Sequence, residues 1–348
     1  MTDQLAISAA DVHKSYGTTQ AVAGTTVEVA RGQLVALLGP SGSGKTTLLR
    51  IVAGLEVPDR GTVTIGGRLV AGDGVWEEPE RRRIGMVFQD GALFPHLTVA
   101  KNIGFGDVAD GRVEECLALV GLSARAGAYP HELSGGERQR IALARALAPA
   151  PEVVLLDEPF ASLDAGLRAS LRDEVAGILR AAGASALLVT HDQHEALAVA
   201  DVVVVMRDGR VAQTAAPAEV YHRPSSRWVA EFLGDAVVLP GHASGGAVEC
   251  DLGTFPADPA AAGAVEVIVR PEELHLEAVG AETAVGPAVT ARVLRCTFNG
   301  PDQIVLLALP GGREVRSRCL GTEEWAPGSE ARIRVRGTVR LIPASASA

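Results

Sequence analysis

A short segment near the start of the chain has the residue types and spacing of a phosphate-binding loop. Residues 39–46 read Gly-Pro-Ser-Gly-Ser-Gly-Lys-Thr and fit the pattern G-x-x-x-x-G-K-[ST]. Glycines let such a loop curl so that successive N–H groups point at phosphate oxygens, and the helix that follows adds positive potential. We expect Lys45 to reach the β- and γ-phosphates of a nucleotide and the Thr46 hydroxyl to coordinate Mg²⁺. The predicted nucleotide contacts are Gly39, Pro40, Ser41, Gly42, Ser43, Gly44, Lys45, Thr46 and Thr47.

Two carboxylates follow an apolar run further along the chain. Residues 153–156 are Val-Val-Leu-Leu, and Asp157 and Glu158 come next. Ligands of open α/β sheets gather at the carboxyl ends of the strands. We expect Asp157 to hold Mg²⁺ and Glu158 to orient and polarise the attacking water as a general base. An Asp-Glu pair alone usually marks a strand end, and its position downstream of the phosphate loop favours the catalytic interpretation.

Continuous apolar runs predict the strands that position these groups. The runs cover residues 32–38, 153–156, 186–189 and 202–206, and helix-like segments follow the first and the third. Runs without polar alternation are typical of strands that helices cover on both faces. The sequence therefore predicts an α/β core with a mostly parallel sheet.

The chain changes character after residue 235. Short strand-like runs recur between Gly-Gly and Pro-Gly turn signals, as is typical of a small β-barrel or sandwich. We place the linker near residues 234–241 and predict two domains, residues 1–235 and residues 236–345. The predicted strands of the second domain are residues 265–270, 288–296, 303–309, 313–319, 331–337 and 339–343.

Composition narrows the class of protein. The 348 residues carry a net charge of −10, and this acidic balance argues against a nucleic-acid binder. The four cysteines form no CxxC pair, which favours reduced thiols in a cytosolic protein over a zinc site or a disulfide. No apolar run approaches the ~20 residues that a membrane span needs, and the N-terminus lacks the pattern of a secretory signal. Arginine supplies most of the positive charge, and only Lys14, Lys45 and Lys101 are lysines.

A glycine-rich motif before the acidic strand carries a family resemblance. Residues 133–139 read Leu-Ser-Gly-Gly-Glu-Arg-Gln, and the acidic strand follows closely. The pair resembles the signature motif and the Walker B strand of ATP-binding-cassette (ABC) ATPases. The resemblance covers residues 5–235 and implies a P-loop NTPase cassette, with a RecA-like core and a helical subdomain, that hydrolyses ATP with Mg²⁺. Other cassette elements occur in the expected order: Tyr16 for adenine stacking, Gln89 of the Q-loop, Ser162, Leu163 and Asp164 of the D-loop, and His191 as the switch histidine.

The resemblance assigns chemical roles to these residues. It implies that Glu158, His191 and Gln89 are catalytic, and that Thr46, Gln89 and Asp157 are the Mg²⁺ ligands.

Two of the assignments have plainer interpretations. Tyr16 could be an ordinary turn residue, and its order in the chain favours adenine stacking. His191 and His194 are spaced as a metal pair can be, but no matching ligand pair is evident and the switch role explains His191.

The signature motif implies a dimer. In this family two cassettes form a head-to-tail sandwich, and each ATP lies between the phosphate loop of one and the signature of the other. A helix N-cap is the plainer interpretation of a serine before a helix, and both can hold because a cap can face a ligand. The residues expected at the partner's ATP are Leu133, Ser134, Gly135, Gly136 and Glu137.

The C-terminal part resembles a second known domain. Residues 267–272, Val-Ile-Val-Arg-Pro-Glu, are similar to the Arg-Pro-Glu segment of the β-barrel (TOBE) domain that accompanies the cassettes of bacterial importers. The match covers residues 236–345 and implies an all-β regulatory domain. A strand end followed by a turn is the plainer interpretation.

The alternative class of protein is a soluble non-transport ABC ATPase. Members of that class in DNA repair carry long coiled coils, and members in translation carry tandem cassettes.

The segment that follows Gln89 suggests a docking surface. Leu93, Phe94 and Leu97 are expected to be exposed beside the Q-loop, where they could receive a short helix of a membrane subunit. Packing inside the helical subdomain is the plainer interpretation of the same residues.

The resemblance implies an ATPase subunit of an importer at the cytoplasmic face of the membrane. Its implied partners are a second copy, two transmembrane permease subunits and, indirectly, an extracytoplasmic solute-binding protein, without nucleic acid. Residues 88–99, 129–152 and 216–241 are most similar to ferric-ion importer ATPases, so ferric ion is the expected cargo. Polyamine, sulfate and sugar importers are the alternatives.

Overall fold

The computed structural model describes residues 5–161, 165–279 and 287–344. The chain divides into two compact units, Met1–His222 and Arg223–Ala348. The division after residue 235 that the sequence suggests stays a prediction.

The first unit contains two sheets and a set of helices. Its described strands are β1 (Leu5–Tyr16), β2 (Thr19–Ala30), β3 (Leu34–Leu38), β4 (Arg60–Ile65), β5 (Arg68–Gly72), β6 (Val75–Trp76), β7 (Ile84–Val87), β8 (Val153–Asp157), β9 (Ala186–Thr190), β10 (Val202–Arg207) and β11 (Arg210–Ala215). Its described helices are α1 (Lys45–Ala53), α2 (Val99–Ile103), α3 (Arg112–Leu119), α4 (Gly135–Leu147), α5 (Ala165–Ala181), α6 (Gln193–Val199) and α7 (Pro217–His222).

The sheet that carries the phosphate loop is mainly parallel, with the strand order β11-β10-β3-β9-β8-β7. Its strands pair in parallel except for β11, which lies antiparallel at one edge. Every residue of β3 and β9 is buried, as expected for strands covered on both faces. The predicted apolar runs lie in β3, β8, β9 and β10, so the α/β prediction is confirmed.

The second sheet of this unit, in the order β2-β1-β4-β5-β6, has no counterpart among the predicted strands. β1 and β2 form a long antiparallel hairpin in which register shifts interrupt the pairing. Buried and exposed residues alternate along β2, but alanine and threonine supply much of this alternation. Their weak contrast in hydropathy gives little signal of period two, which explains why the hairpin is hard to predict.

A helical subdomain is inserted between β7 and β8. It consists of α2, α3 and α4, which contact one another, and α4 also packs on β7. The buried face of α4 includes Ile141, Leu143 and Leu147. The signature motif therefore lies at the start of a helix that the parallel sheet supports.

The second unit is an all-β domain preceded by one short helix, α8 (Arg227–Phe232). Two antiparallel sheets, in the orders β14-β13-β12-β15-β21 and β16-β20-β17-β18-β19, contribute to one hydrophobic cluster. The all-β prediction is confirmed, and the predicted runs lie in β15 and β17 to β21. Its described strands are β12 (Val237–Ser244), β13 (Ala247–Cys250), β14 (Gly253–Pro256), β15 (Gly263–Val269), β16 (Leu274–Ala278), β17 (Val289–Phe298), β18 (Asp302–Ala308), β19 (Glu314–Leu320), β20 (Glu330–Val335) and β21 (Arg340–Pro343).

The Arg-Pro-Glu segment joins α8 to the β domain. Arg270 is fully buried, and its Nη1 donates to the backbone oxygens of Ala230 at 2.8 Å and Asp235 at 3.1 Å. The backbone N–H of Arg270 donates to the Glu273 carboxylate at 2.8 Å. The arginine thus holds the end of α8 against the following strands. A strand end followed by a simple turn would not need a buried arginine with these contacts.

Candidate functional site

The phosphate loop connects the end of β3 to the first turn of α1. Gly44, just before α1, has a φ of 95°, in the left-handed region that glycine tolerates. A Cβ at Gly44 would lie 2.2 Å from the backbone oxygen of Ala21, and a Cβ at Gly39 would lie 2.4 Å from that of Met206. Both positions therefore require glycine, and the loop gains the close backbone packing that a phosphate cradle needs.

Lys45 is folded back over its own loop. Its ammonium group donates to the backbone oxygens of Gly39 at 2.8 Å and Pro40 at 3.0 Å. Burial lowers the pKa of Lys45, while the nearby Glu158 and Asp157 raise it. The ammonium is therefore within electrostatic reach of the acidic strand end.

The acidic pair lies at the end of β8. Glu158 has a φ of 44°, which non-glycine residues rarely adopt, and its N–H donates to the backbone oxygen of Val189 at 3.0 Å. Burial raises the pKa of Asp157, and Glu158 raises it further, while Arg50 and Lys45 lower it. The strained turn presents the two carboxylates at one edge of the sheet.

His191 lies beside Glu158. Its Nδ1 is 3.2 Å from Oε2 of Glu158. The contact follows from topology, since β8 and β9 pair in parallel and the two residues come just after their carboxyl ends. The structure thus brings together two of the three residues expected to be catalytic.

Oxygen donors that suit Mg²⁺ are available at Asp157 and Thr46. Within the described residues, the Asp157 carboxylate receives no hydrogen bond, and Thr46 is exposed on the first turn of α1. Carboxylate and hydroxyl oxygens are ligands that Mg²⁺ prefers, so these residues fit the ion. Gln89 is exposed just after β7 and forms no hydrogen bond with either residue in the described part of the chain.

Tyr16 ends β1 and is 48% exposed, so one ring face is available to a flat ligand. The Lys14 ammonium lies 5.4 Å from the ring centroid and 2.7 Å from the Glu56 carboxylate. Burial raises the pKa of Tyr16, and its hydrogen bond with Glu56 raises it further. Sequence reasoning missed Lys14 and Glu56 as neighbours of the Tyr16 ring. The rarity of lysine in the chain was a signal that could have pointed to Lys14.

The signature helix begins with a complete capping box. The Ser134 hydroxyl accepts from the N–H of Glu137 at 3.2 Å, and the Glu137 carboxylate accepts from the N–H of Ser134 at 2.8 Å. Hydrogen bonding with Ser134 lowers the pKa of Glu137, which also pairs with Arg125 at 3.1 Å. Ser134 is exposed whereas Leu133 and Gly136 are buried. The expected N-cap is therefore present.

The D-loop residues Ser162, Leu163 and Asp164 lie outside the described residues.

The segment after Gln89 is more buried than we expected. Leu93, Phe94 and Leu97 are each half-buried. The buried side chain of Asn102 explains this, because its amide nitrogen donates to the backbone oxygens of Phe94 at 3.1 Å and Leu97 at 3.0 Å. The segment is thereby fastened to α2, in line with the plainer interpretation.

The exposed aromatic side chains near the Q-loop are Phe88 and Phe105. Phe105 is 56% exposed and its ring centroid lies 4.4 Å from that of Phe94. Phe88, next to Gln89, is also exposed, and the Arg145 guanidinium lies 5.5 Å from the Phe94 ring centroid. We call the exposed Phe88 and Phe105, together with the half-buried Phe94, the aromatic surface.

Further features of the described residues bear on other chemistries. No group of three or more His, Cys, Asp or Glu residues among them could hold a metal ion, and His194 lies in α6. The four cysteines are free thiols. No described helix is long and apolar enough to cross a membrane.

The fold and the site define the class of the protein. A glycine-rich loop that opens a helix after a parallel strand, on a sheet whose edge carries paired carboxylates, is typical of P-loop nucleotide hydrolases. A family model described as ABC transporter matches residues 22–161, and one described as TOBE domain matches residues 267–339. The chain belongs to the ATP-binding-cassette (ABC) transporter family, as an ATP-binding and ATP-hydrolysing member with a C-terminal TOBE domain.

Named relatives match most of the chain or nearly all of it. The Fe(3+) ions import ATP-binding protein FbpC of Pseudomonas fluorescens is 45% identical, over 97% of this chain and 98% of the relative. Its namesake in Mesorhizobium japonicum is 49% identical, over 78% of this chain and 77% of the relative. FbpC 1 of Rhodococcus jostii is 44% identical, over 96% and 97%.

Solved structures match the cassette. A dimeric ATP-binding cassette in a post-hydrolysis state with ADP and Pi is 30% identical with a TM-score of 0.52, covering 61% of this chain and 98% of that chain. CbiO1 from Clostridium perfringens, part of the ABC transporter complex cbiONQ, is 28% identical with a TM-score of 0.57, covering 62% and 90%. The chain is thus similar to a dimeric cassette and to a subunit of a transporter complex.

Proposed function

We propose that this chain is the ATP-hydrolysing subunit of an importer and that the imported cargo is ferric ion. The observation that carries the proposal is the alignment with an Fe(3+) import ATP-binding protein over 97% of this chain and 98% of the relative. An alignment through both units favours a shared role more strongly than similarity of the cassette alone. In this account the chain supplies the energy of ATP and does not bind the cargo.

The proposed hydrolysis centres on the contact between Glu158 and His191. Glu158 orients and polarises the attacking water as a general base, and His191, 3.2 Å from its carboxylate, contacts the γ-phosphate. Lys45 leaves its loop carbonyl partners to bind the β- and γ-phosphates, and Tyr16 stacks on adenine. Gln89 transmits the presence or absence of the γ-phosphate to the segment that follows it.

The proposed Mg²⁺ ligands are Thr46, Gln89 and Asp157. The bound ion would supply neutralisation of the charge on the β- and γ-phosphate oxygens. Asp157 suits this role because its carboxylate lies close to Lys45 and Glu158, at the carboxyl end of a parallel strand.

The proposed working unit is a homodimer with two ATP molecules at its interface. Residues 133–137 of one copy contact the nucleotide held by the phosphate loop of the other. The capping box supports this proposal, because it leaves the exposed Ser134 at a helix start where backbone N–H groups favour an anion.

The proposed location is the cytoplasmic face of the membrane, as a peripheral subunit on two transmembrane permease subunits. The aromatic surface beside Gln89 is the part that we assign to permease contact, since exposed aromatic side chains are enriched in interfaces. An extracytoplasmic solute-binding protein acts indirectly, through the permease.

Cargo is tested by deleting the gene in its own host and measuring uptake of radiolabelled ferric ion, spermidine, sulfate and maltose. We expect ferric uptake alone to fall, wild-type chain to restore it, and the matched variant Glu158→Gln to fail. Intact ferric uptake with loss of another solute would contradict the ferric assignment and leave the transporter assignment standing.

A further inference from the structure

A buried carboxyl group that the proposed chemistry does not use lies behind His191. Glu195, in the first turn of α6, is 5% exposed. The hydroxyl of Thr190, the last residue of β9 and 1% exposed, donates to Oε2 of Glu195. The same hydroxyl accepts a hydrogen bond from the backbone N–H of Asp192 at 3.0 Å. One buried hydroxyl therefore connects both chain neighbours of His191 to Glu195.

The side chain of Asp192 closes the other half of this turn. It is the N-cap of α6, and its Oδ1 accepts from the backbone N–H groups of His194 at 2.8 Å and Glu195 at 3.3 Å. The residue before His191 and the residue after it are thus both held by hydrogen bonds. With its neighbours fixed, the His191 backbone has little freedom, and the ring is directed at Glu158.

Charges around Glu195 link it to the same site. Burial raises the pKa of Glu195, and the hydrogen bond with Thr190 opposes this effect. Asp192 raises the pKa further, whereas Arg168 and His191 lower it. A buried acceptor of this kind is costly to leave without its donor, so the carboxyl and the hydroxyl keep each other in place.

We propose that Glu195 is a positioning residue for ATP hydrolysis, which acts through the Thr190 hydroxyl to fix the turn that holds His191 beside Glu158. The inference rests on the proposed role of His191. Glu195 is not a catalytic residue in this account, because its effect reaches the nucleotide only through Thr190 and the His191 turn. A misplacement of about 1 Å at a catalytic group can cost ~100-fold in rate, so a device that holds the turn has a kinetic consequence.

Two substitutions at Glu195 separate positioning from simple burial. Glu195→Gln keeps an acceptor oxygen for Thr190, whereas Glu195→Ala removes it. We expect Glu195→Ala to lower kcat about 10- to 100-fold with KM for ATP changed by no more than about twofold, and Glu195→Gln to restore most of kcat. Equal loss of kcat in the two variants, or no loss in either, would overturn the inference.

Two further variants keep the test decisive. Thr190→Val removes the bridging hydroxyl at similar volume, so it should reproduce the loss of kcat even where Glu195→Ala folds poorly. Ser317→Ala is the matched control, because it deletes another buried hydroxyl, which donates to the backbone oxygen of Leu274 in the second unit. Its kcat should equal that of the wild type.

The His191 ring provides a direct readout of position. We would record NMR spectra of isotope-labelled histidine Cε1 and assign the His191 signal with His191→Asn. The signal should move in Glu195→Ala and keep its wild-type position in Glu195→Gln, and a lowered kcat with an unmoved signal would overturn the inference. Wild-type turnover in His191→Asn would instead refute the proposed role of His191. The His191 signal of the wild type and of the Glu195 variants would still report where the ring lies.

Discussion

Individual side chains of the nucleotide site are held by neighbours within the same chain. Lys45 donates to the carbonyl oxygens of its own loop, and Glu158 pairs with His191. Tyr16 has Lys14 on one side. The contacts of Glu158 and Tyr16 set the geometry of those two groups before they meet a ligand, which reduces the entropy lost on binding. Lys45 instead exchanges its loop carbonyl partners for phosphate oxygens.

The clearest residue-scale prediction concerns Lys45. In Lys45→Ala, ATP affinity should fall about 10- to 100-fold, because charge-assisted hydrogen bonds to the phosphates are lost. Equilibrium titration with MgATP would measure this, and Lys101→Ala, at an exposed site in α2, is the control that should bind normally. An unchanged dissociation constant for Lys45→Ala would refute its phosphate role.

A substitution at Lys14 tests the proposed adenine contact separately from the phosphate contacts. Lys14→Met removes the cation beside the Tyr16 ring and the partner of Glu56. We expect ATP to bind about 2- to 5-fold more weakly, while inorganic tripolyphosphate, which has no base, binds as before. Competition titrations with both ligands measure the two affinities. Equal weakening of ATP and tripolyphosphate binding would exclude a role of Lys14 that is confined to adenine.

At the scale of elements, α1 is fixed at its far end by a buried arginine. Nη1 of Arg82 donates to the backbone oxygens of Ile51 at 2.8 Å and Val52 at 3.0 Å. Its guanidinium lies 4.4 Å from the Trp76 ring centroid, and burial lowers the pKa of Arg82 to about 10. The helix that bears the phosphate loop is therefore tied to the antiparallel sheet.

Replacing this arginine should destabilise the first unit. Arg82→Met removes the buried donor to the backbone oxygens of Ile51 and Val52, so the free energy of unfolding should fall by about 3 kcal/mol. Urea denaturation measures the change, and Arg81→Met, at the exposed neighbouring residue, should alter it by less than about 0.5 kcal/mol. Equal effects of the two substitutions would show that the contacts with α1 contribute little.

Sequence patterns predicted some of these elements and not others, for physical reasons. Strands β3, β8, β9 and β10 are continuous apolar runs, and the phosphate loop has a fixed spacing, so both could be predicted locally. Arg82 stands between two other arginines, and only the tertiary position of Trp76 and α1 distinguishes it from them. Glu195 is likewise an ordinary polar residue of a helix until β9 brings the Thr190 hydroxyl to it.

At the scale of the whole molecule, an ATPase cassette and a β domain are combined in one chain. The cassette contains the site, whereas the second unit is organised around its own core and the buried Arg270. The relatives named as Fe(3+) import proteins match both units. The cargo assignment therefore depends on the whole chain, and the ATPase assignment on the cassette.

Coupling to the proposed permease subunits would be a property of the assembled transporter. Phe105→Asp places a charge on the aromatic surface, so the ratio of permease-stimulated to isolated ATPase activity should fall toward one. Phe298→Asp is the matched control, because Phe298 is also exposed, at 69%, but lies in the second unit. An unchanged ratio in Phe105→Asp would argue against contact at this surface.

The central claim is that two copies of the chain hydrolyse ATP between them with Glu158 as the general base. It is tested most directly in Glu158→Gln, by light scattering of the purified protein with MgATP together with phosphate release. We predict an ATP-dependent dimer whose turnover is lowered about 10³-fold, whereas Glu152→Gln, just before the same strand, keeps wild-type turnover. Turnover near the wild-type rate in Glu158→Gln, or a monomer in saturating ATP, would contradict the claim.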